Sequence, residues 1–530
     1  MTSIKTSKPT LRPVSSRPSV NESILVMDFG SQYSRLIARR IREANVYCEL
    51  ISHNSAWDVL ETLNPKGIIL SGGPASVYSP SAPLAPAWVY SKKLPVLGIC
   101  YGMQLLTHQM GGTVERADRR EYGHAKLKHD STHPILQGIS AETSVWMSHG
   151  DRVTNLPKGF KPLAHTANSS IAVMGNSHNM YGLQFHPEVA HTQEGKRLLR
   201  NFLFNICQCT GDWTAGNFVT QSIEDLRNTI GTGNVICALS GGVDSAVVAT
   251  LIHQAVGTQL TSIFVDNGLL RKGEASRIQE MFTKHFDMKI IHVKAEDEFL
   301  TNLKGVTDPE DKRRIIGKTF IEIFDRAAKN IGTVDFLAQG TLYPDVIESE
   351  TKENSTAAKI KTHHNVGGLP PTMKLQLVEP VRYLFKDEVR EVGKSLGIPM
   401  EMLMRQPFPG PGLAIRIIGE ITPGKLQMIR ACDWIVMDEI KQSGMYYDVW
   451  QSFAVLTDTK TVGVMGDCRT YGHVVAIRAV TSDDAMTADW VRLPYDILTR
   501  ISNRIVNEVP DINRVVYDIT SKPPGTIEWE

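Results

Sequence analysis

Gly98-Ile99-Cys100-Tyr101-Gly102 ends the apolar run Leu94 to Ile99 and opens a helical stretch that reaches Gly111-Gly112. A cysteine at such a turn can be a nucleophile. The flanking glycines permit the strained strand-to-helix bend, and a helix N-terminus favours the thiolate and leaves N–H groups free for an oxyanion. A buried core thiol is the competing reading. In Gln184-Phe185-His186-Pro187-Glu188, His186 and Glu188 stand two residues apart at the end of another apolar run. On an extended segment that spacing presents both to one face. Cysteine, histidine base and orienting carboxylate form a triad for acyl transfer. The turn Ser71-Gly72-Gly73-Pro74 can add a second oxyanion donor at Gly72 or Gly73.

A second constellation is Ser240-Gly241-Gly242-Val243-Asp244-Ser245, between the apolar run Val235 to Leu239 and a helix expected from Ser245 through Ala246 onward. Two glycines let backbone N–H groups approach phosphate oxygens at a helix N-terminus, the serine hydroxyls donate, and Asp244 can hold a magnesium ion that bridges phosphates. A Gly-Gly turn can equally be a mere helix cap, but the six-residue string in this context is more specific. It is not a Walker A loop, because Lys312 stands where the nearest candidate, Gly317-Lys318-Thr319, needs a glycine. Val265-Asp266-Asn267-Gly268, ending the next apolar run, is placed for a nucleotide base or ribose.

The elements around these strings alternate between short apolar runs and helical stretches. Runs at 24–27, 67–70, 95–99, 144–147, 171–174 and 181–185, closed by a helix over 194–207, predict an α/β unit with a mostly parallel sheet over 21–212. Runs at 235–239, 261–265, 290–293 and 334–338 predict a second doubly wound sheet over 213–405. Its polar, glycine-bearing segment 349–373 is expected to be a lid. After the cluster Pro407 to Gly412, a helix at 423–441, strands at 462–465 and 474–479, a helix at 489–509 and a strand at 514–519 predict a smaller α+β domain over 406–530.

A chain of 530 residues has room for about three or four such units. Its net charge of +1 supplies no field for a polyanion or an anionic membrane, so nucleic acid and membrane partners are not expected. Seven cysteines with irregular spacing suit a reducing compartment, and Cys207-Gln208-Cys209 lacks a second ligand pair, so it is expected to be structural and free of zinc. The first 20 residues are basic and rich in Ser and Thr, and Pro9, Pro13 and Pro18 would interrupt a transit-peptide helix. A disordered tail and a cytoplasmic location are the expectation.

Gly-Ile-Cys-Tyr-Gly-Met-Gln, Ser-Gly-Gly-Pro and Phe-His-Pro-Glu resemble the class I glutamine amidotransferases over roughly 23–209. The resemblance implies that Cys100 attacks the amide of glutamine, that His186 and Glu188 complete the triad, and that Gly72, Gly73, Tyr101 and Gln104 line the oxyanion and glutamine site. The string 240–245 is similar to that of the N-type ATP pyrophosphatases, which implies ATP binding by Ser240, Gly241, Gly242, Val243, Asp244, Ser245 and Ala246, with Lys386 near the phosphates. The order of the two units, Lys312-Arg313-Arg314-Ile315-Ile316-Gly317, His363 to Pro370, and the closing run Thr520 to Glu530 resemble the glutamine-hydrolysing GMP synthase family across nearly the whole chain. That resemblance implies ATP cleavage to AMP and pyrophosphate, magnesium as cofactor, and xanthosine 5'-monophosphate (XMP) as acceptor, touched by Arg313, Asp467, Lys522 and Glu528. It also implies a homodimer paired through the third domain. Two other readings are a different glutamine-dependent ATP pyrophosphatase, separable by a substrate panel, and a non-catalytic binder, against which the intact Cys100, His186, Glu188 and Asp244 weigh.

Overall fold

A computed structural model describes residues 20–347, 375–465, 467–482 and 487–530. The expected tail, apart from Val20, and the expected lid over 349–373 lie outside the described residues. The chain divides into two compact units, Pro18–Phe218 and Val219–Glu530.

The first unit is built on a seven-stranded sheet in the order Cys48–Ser52, Ser23–Asp28, Pro65–Leu70, Val96–Ile99, Met180–Leu183, Val173–Asn176, Phe160–Ala164. The first five strands pair in parallel and the last two join antiparallel. Ile24, Leu25, Val26 and Met27 are all fully buried, because a parallel strand is covered on both faces. This explains why its strands read as unbroken apolar runs. The run at 144–147 belongs elsewhere: it lies in Glu142–Asn155, which pairs with Thr113–Lys128 in a separate antiparallel ribbon. The closing helix spans Gly195–Arg200 and continues as a wider π-type turn, Asn201–Ile206.

The second unit carries a five-stranded sheet in the order Ile290–Lys294, Leu260–Asp266, Val235–Leu239, Phe336–Ala338, Gln376–Val378, parallel throughout. Gln451–Met465 and Cys468–Thr481 then form a long antiparallel hairpin. Ile512–Tyr517 joins the hairpin in parallel rather than antiparallel. One continuous apolar core includes Ile236, Ile263 and Phe299 beside the parallel sheet and Ile429, Val475 and Ile501 farther along the chain.

The helix expected over 489–509 begins later, at Tyr495, and ends at Glu508. Asp489 and Trp490 are taken by the sheet, pairing with Thr481 and Val480, and Pro494 precedes the first helical turn.

Residues 518–530 are docked. Arg478, fully buried, donates to the carbonyls of Thr520 (2.5 Å), Thr526 (3.1 Å) and Ile527 (3.4 Å), and the Trp529 indole donates to Asp518 at 2.8 Å. Five donors on one guanidinium make arginine suited to collecting several carbonyls of an irregular segment. No helix among the described residues is long and apolar enough to cross a membrane.

Candidate active site

Three adjacent parallel strands of the first unit, Pro65–Leu70, Val96–Ile99 and Met180–Leu183, deliver Gly72, Cys100 and His186 at the same edge of the sheet. Ligands of open α/β sheets bind outside that edge. Cys100 sits at φ +51°, ψ −104°, immediately before the helix Tyr101–Gln109. A non-glycine residue there costs on the order of 1–3 kcal/mol and persists only where its surroundings hold it. Here Cys100 N–H donates to Leu183 O at 2.7 Å and Cys100 O accepts from Gln104 N–H at 3.1 Å. The flanking glycines are required by close approach. A Cβ at Gly98 would lie 2.5 Å from the Gly102 backbone, and one at Gly102 would lie 2.2 Å from Leu70 O.

The imidazole Nδ1 of His186 meets Glu188 Oε1 at 2.7 Å, and both residues are buried. The expected extended spacing is corrected. The strand stops at Leu183, and a turn beginning at Pro187 folds Glu188 back onto the ring. Thr192 Oγ1 donates to His186 O at 2.6 Å, His186 N–H donates to Trp146 O at 3.0 Å, Arg40 Nε donates to Glu188 O at 2.9 Å, and the Tyr33 ring lies 5.0 Å from the imidazole. Burial alone would pull the His186 pKa down. Hydrogen bonds to Cys100 and Glu188, with the charges of both, outweigh it and push the value up to about 10. The imidazole is therefore protonated at neutral pH beside the sulfur, and can hand a proton to a leaving amine.

A raised folded value makes a stability prediction. Against an unfolded histidine near pKa 6.5, the interaction contributes fully below about pH 6.5 and is lost as pH rises from there through about 10. The melting-temperature gap between the wild-type chain and His186→Gln is expected to narrow steadily over that range. A gap that widens with pH would contradict a stabilised imidazolium.

The remaining expected residues take distinct positions. A Cβ on Gly72 would touch His186 Cε1 at 3.2 Å, so that glycine borders the triad. Ser71 Oγ donates to Gly72 O at 2.8 Å, and a planar trans peptide then turns the Gly73 N–H the opposite way. The Tyr101 side chain is buried in the core with its hydroxyl on Pro83 O at 2.7 Å, so only its backbone N–H, first in the helix, is available to an oxyanion. Gln104 is buried and donates to Asp151 O at 2.9 Å, bracing the Ser148–Asp151 stretch, in which Ser148 O faces Cys100 Sγ at 3.6 Å. That stretch escaped the sequence reading. Its signals were Ser148-His149-Gly150-Asp151 within an apolar alternation and Glu121 far upstream. Glu121 now faces His149 at 3.3 Å and accepts from Thr166 and Ser169, each at 3.0 Å.

In the second unit, Val235–Leu239 runs into the glycine loop. Gly241 has φ +75°, and a Cβ there would lie 2.4 Å from Ile278 Cδ1. Ser240 and Ser245 hydroxyls lie 3.1 Å apart, and Gly242 N–H donates to Ser240 Oγ at 3.3 Å. Ser240 and Gly242 are exposed. Val243 and Ala246 are buried, so they offer a ligand only their backbone. Gly340 follows the neighbouring strand Phe336–Ala338, and a Cβ there would lie 3.4 Å from Asp244, so the crevice between them is narrow. Lys386 Nζ donates to Asp244 Oδ2 at 3.2 Å.

Asp244 Oδ1 is buried and has no hydrogen-bond partner. An orphaned carboxylate oxygen beside two hydroxyls fits a magnesium ion shared with phosphates, which takes one or two carboxylates from protein. No cluster of three or more His, Cys, Asp or Glu able to cage a metal occurs among the described residues. Cys207 and Cys209 are both buried, and burial pushes the Cys209 thiol up to about 12.

Arg313 and Glu528 both belong to the docked C-terminal segment and its supports. Arg313 donates to Glu530 O, and Glu528 accepts from Arg416 at 3.0 Å and from Gln451 at 2.6 Å. Lys522 pairs through its backbone with Ala488, and Asp467 occupies the turn of the long hairpin at φ +62°. Buried Lys312, at the start of the Lys-Arg-Arg string, donates to Ile417 O at 2.7 Å and pairs with Glu530 at 2.5 Å.

Comparison with known proteins follows the same division. Residues 25–206 match the class-I glutamine amidotransferase family, 216–313 match NAD synthase, and 438–529 match the GMP synthase C terminal domain. A glutamine-hydrolysing GMP synthase of Dehalococcoides mccartyi strain CBDB1 is 64% identical over 517 residues, 97% of each chain. Another, from Thermomicrobium roseum, is 59% identical over 96% of this chain and 97% of its own. At that identity over nearly the full length, the chain belongs to the glutamine-hydrolysing GMP synthase family.

Proposed function

We propose that the chain aminates XMP to GMP, with ammonia from glutamine and with ATP cleaved to AMP and pyrophosphate, and that Cys100, His186 and Glu188 form the ammonia-producing site. The observation that carries the reading is the strained Cys100 at the start of a helix, with buried His186 held at 2.7 Å by buried Glu188. The thiolate attacks the glutamine amide carbon, the Tyr101 N–H at the helix start faces the developing oxyanion, and the imidazolium gives its proton to the departing amine. The neutral imidazole then takes a proton from the water that cleaves the γ-glutamyl thioester. Glutamate leaves and the thiolate and imidazolium are restored.

At the second site Ser240, Gly241, Gly242 and Ser245 would cradle the ATP phosphates, with Val243 and Ala246 contributing backbone and Lys386 a positive charge. Asp244 would hold a magnesium ion whose chemistry is to neutralise phosphate charge. Arg313, Asp467, Lys522 and Glu528 would bind XMP: two cations suit its monophosphate and two carboxylates its hydroxyl and N–H donors. Residues 406–530 would complete that pocket and pair two copies of the chain, and a cytoplasmic location fits seven free cysteines.

The test is a product balance. Purified protein given XMP, ATP, magnesium and glutamine should yield GMP, AMP, pyrophosphate and glutamate in equal amounts. Formation of ADP and phosphate instead would sink the reading.

A further inference from the structure

Arg405 belongs to none of the motifs above, yet it grips the glycine loop. Its Nη1 donates to Gly241 O at 3.1 Å, and its Nη2 donates to Glu274, a carboxylate almost fully buried. In a planar trans peptide the carbonyl and the following N–H point in opposite directions. Pinning the Gly241 carbonyl therefore turns the Gly242 N–H back into the loop, where Ser240 Oγ accepts it at 3.3 Å. Backbone N–H groups turned into such a loop are what a phosphate oxygen meets.

The same guanidinium lies 5.6 Å from the centre of the Phe408 ring, and Arg271 and Arg416 share the ring at 4.7 and 5.2 Å. Asp433 joins those two arginines, at 2.9 Å to Arg271 and 3.1 Å to Arg416, and Arg416 holds Glu528 at 3.0 Å. Arg405, Arg271 and Arg416 are thus matched by Glu274, Asp433 and Glu528. Arg416 is fully buried, and a buried set of charges resists losing or displacing any one partner. A shift of Glu528 onto a bound nucleotide would therefore be felt at Arg416, across the Phe408 ring, and at Arg405.

We propose that Arg405 is a positioning residue that aims the Gly242 N–H at ATP, and that Phe408 and Arg416 connect it to Glu528 so that ATP and XMP bind cooperatively. This rests on reading 240–245 as the ATP loop and Glu528 as an XMP contact.

The experiment is titration calorimetry of a non-hydrolysable ATP analogue with magnesium, with and without XMP, on the full chain and three variants. Arg405→Lys keeps a charge beside Glu274 but lacks the fork that also reaches Gly241. It should weaken analogue binding about tenfold, leaving the melting temperature and glutaminase activity unchanged. In the wild type XMP should tighten the analogue at least about fivefold, and Phe408→Leu should abolish that dependence. Wild-type affinity in Arg405→Lys, or a loss matched by a lower melting temperature, would overturn the positioning role. Analogue binding indifferent to XMP in the wild type would overturn the cooperativity. Asp244→Ala separates the premise from the inference: if it binds the analogue and magnesium normally, the loop assignment itself is wrong, whatever Arg405 does.

Discussion

Cys100→Ser should abolish GMP formation from glutamine while leaving formation from added ammonium within about twofold of the wild type. The glutamine-dependent rate should fall by about 10³-fold or more, because members of a nucleophilic triad act as a unit and removing one costs most of the gain. The geometry explains why serine cannot substitute. His186 is held as an imidazolium with its pKa pushed up to about 10, a state that suits a thiolate partner. A serine hydroxyl has no tendency to give up its proton to a histidine already carrying one. The change is nearly isosteric, and the Cys100 backbone stays pinned by Leu183 and Gln104, so the unit should keep its melting temperature. Loss of the sulfur, whose hydrogen bond with the imidazole helps to raise the His186 pKa, should also lower that value, which an imidazole titration by NMR can read. Ammonium-dependent synthesis lost together with glutaminase activity, in a folded variant, would refute the division of labour between the two sites.

The chemistry was legible in the sequence where function is concentrated in short local strings. Gly98 to Gly102 and Ser240 to Ser245 each specify one turn, and a turn is fixed by a handful of neighbours. The partnership of His186 with Glu188 was legible by composition but not by shape, since the spacing suited a strand while the chain forms a turn after Leu183. Most of the parallel strands are legible because burial on both faces makes them plainly apolar, whereas Cys48–Ser52, with Glu49 inside it, and the three-residue Gln376–Val378 are parallel strands that the apolar runs do not reveal. Thr113–Lys128 was missed because it pairs with a single neighbour and carries Glu, Arg, Asp and Lys along its length. The helix expected over 489–509 includes Asp489 and Trp490 because nothing local reveals that Thr481 and Val480 will claim them.

The charged network around Phe408 shows a different limit. Arg416 stands within the apolar stretch Leu413-Ala414-Ile415-Arg416-Ile417-Ile418, and an arginine in such a run must be paired if it is buried. That signal was available. Its partners were not, because Asp433 lies one helix away and Glu528 more than a hundred residues on, and only the tertiary fold brings them together. The docked terminus was readable from its prolines and Trp529, whereas the arginine that holds it, Arg478, sits in a strand with no outward sign of its role.

Asp244→Ala should have the reverse phenotype to Cys100→Ser: glutaminase activity persists, and GMP synthesis falls by about 10²- to 10³-fold with either nitrogen source, the range seen when one electrostatic contact to a developing charge is removed. Two consequences of the structure combine here. The unpartnered Asp244 Oδ1 is the oxygen available to a cation, and Oδ2 restrains Lys386 at 3.2 Å. Alanine deletes both functions at once, so Asp244→Asn is the sharper variant. Asparagine keeps the volume beside Gly340 and leaves one acceptor for Lys386, but it removes the negative charge that binds magnesium. If the charge matters, Asp244→Asn should be as inactive as Asp244→Ala and should need far more magnesium for half-maximal rate. If Asp244→Asn is active at ordinary magnesium, the carboxylate serves only to position Lys386, and the ion must be held by the phosphates without it.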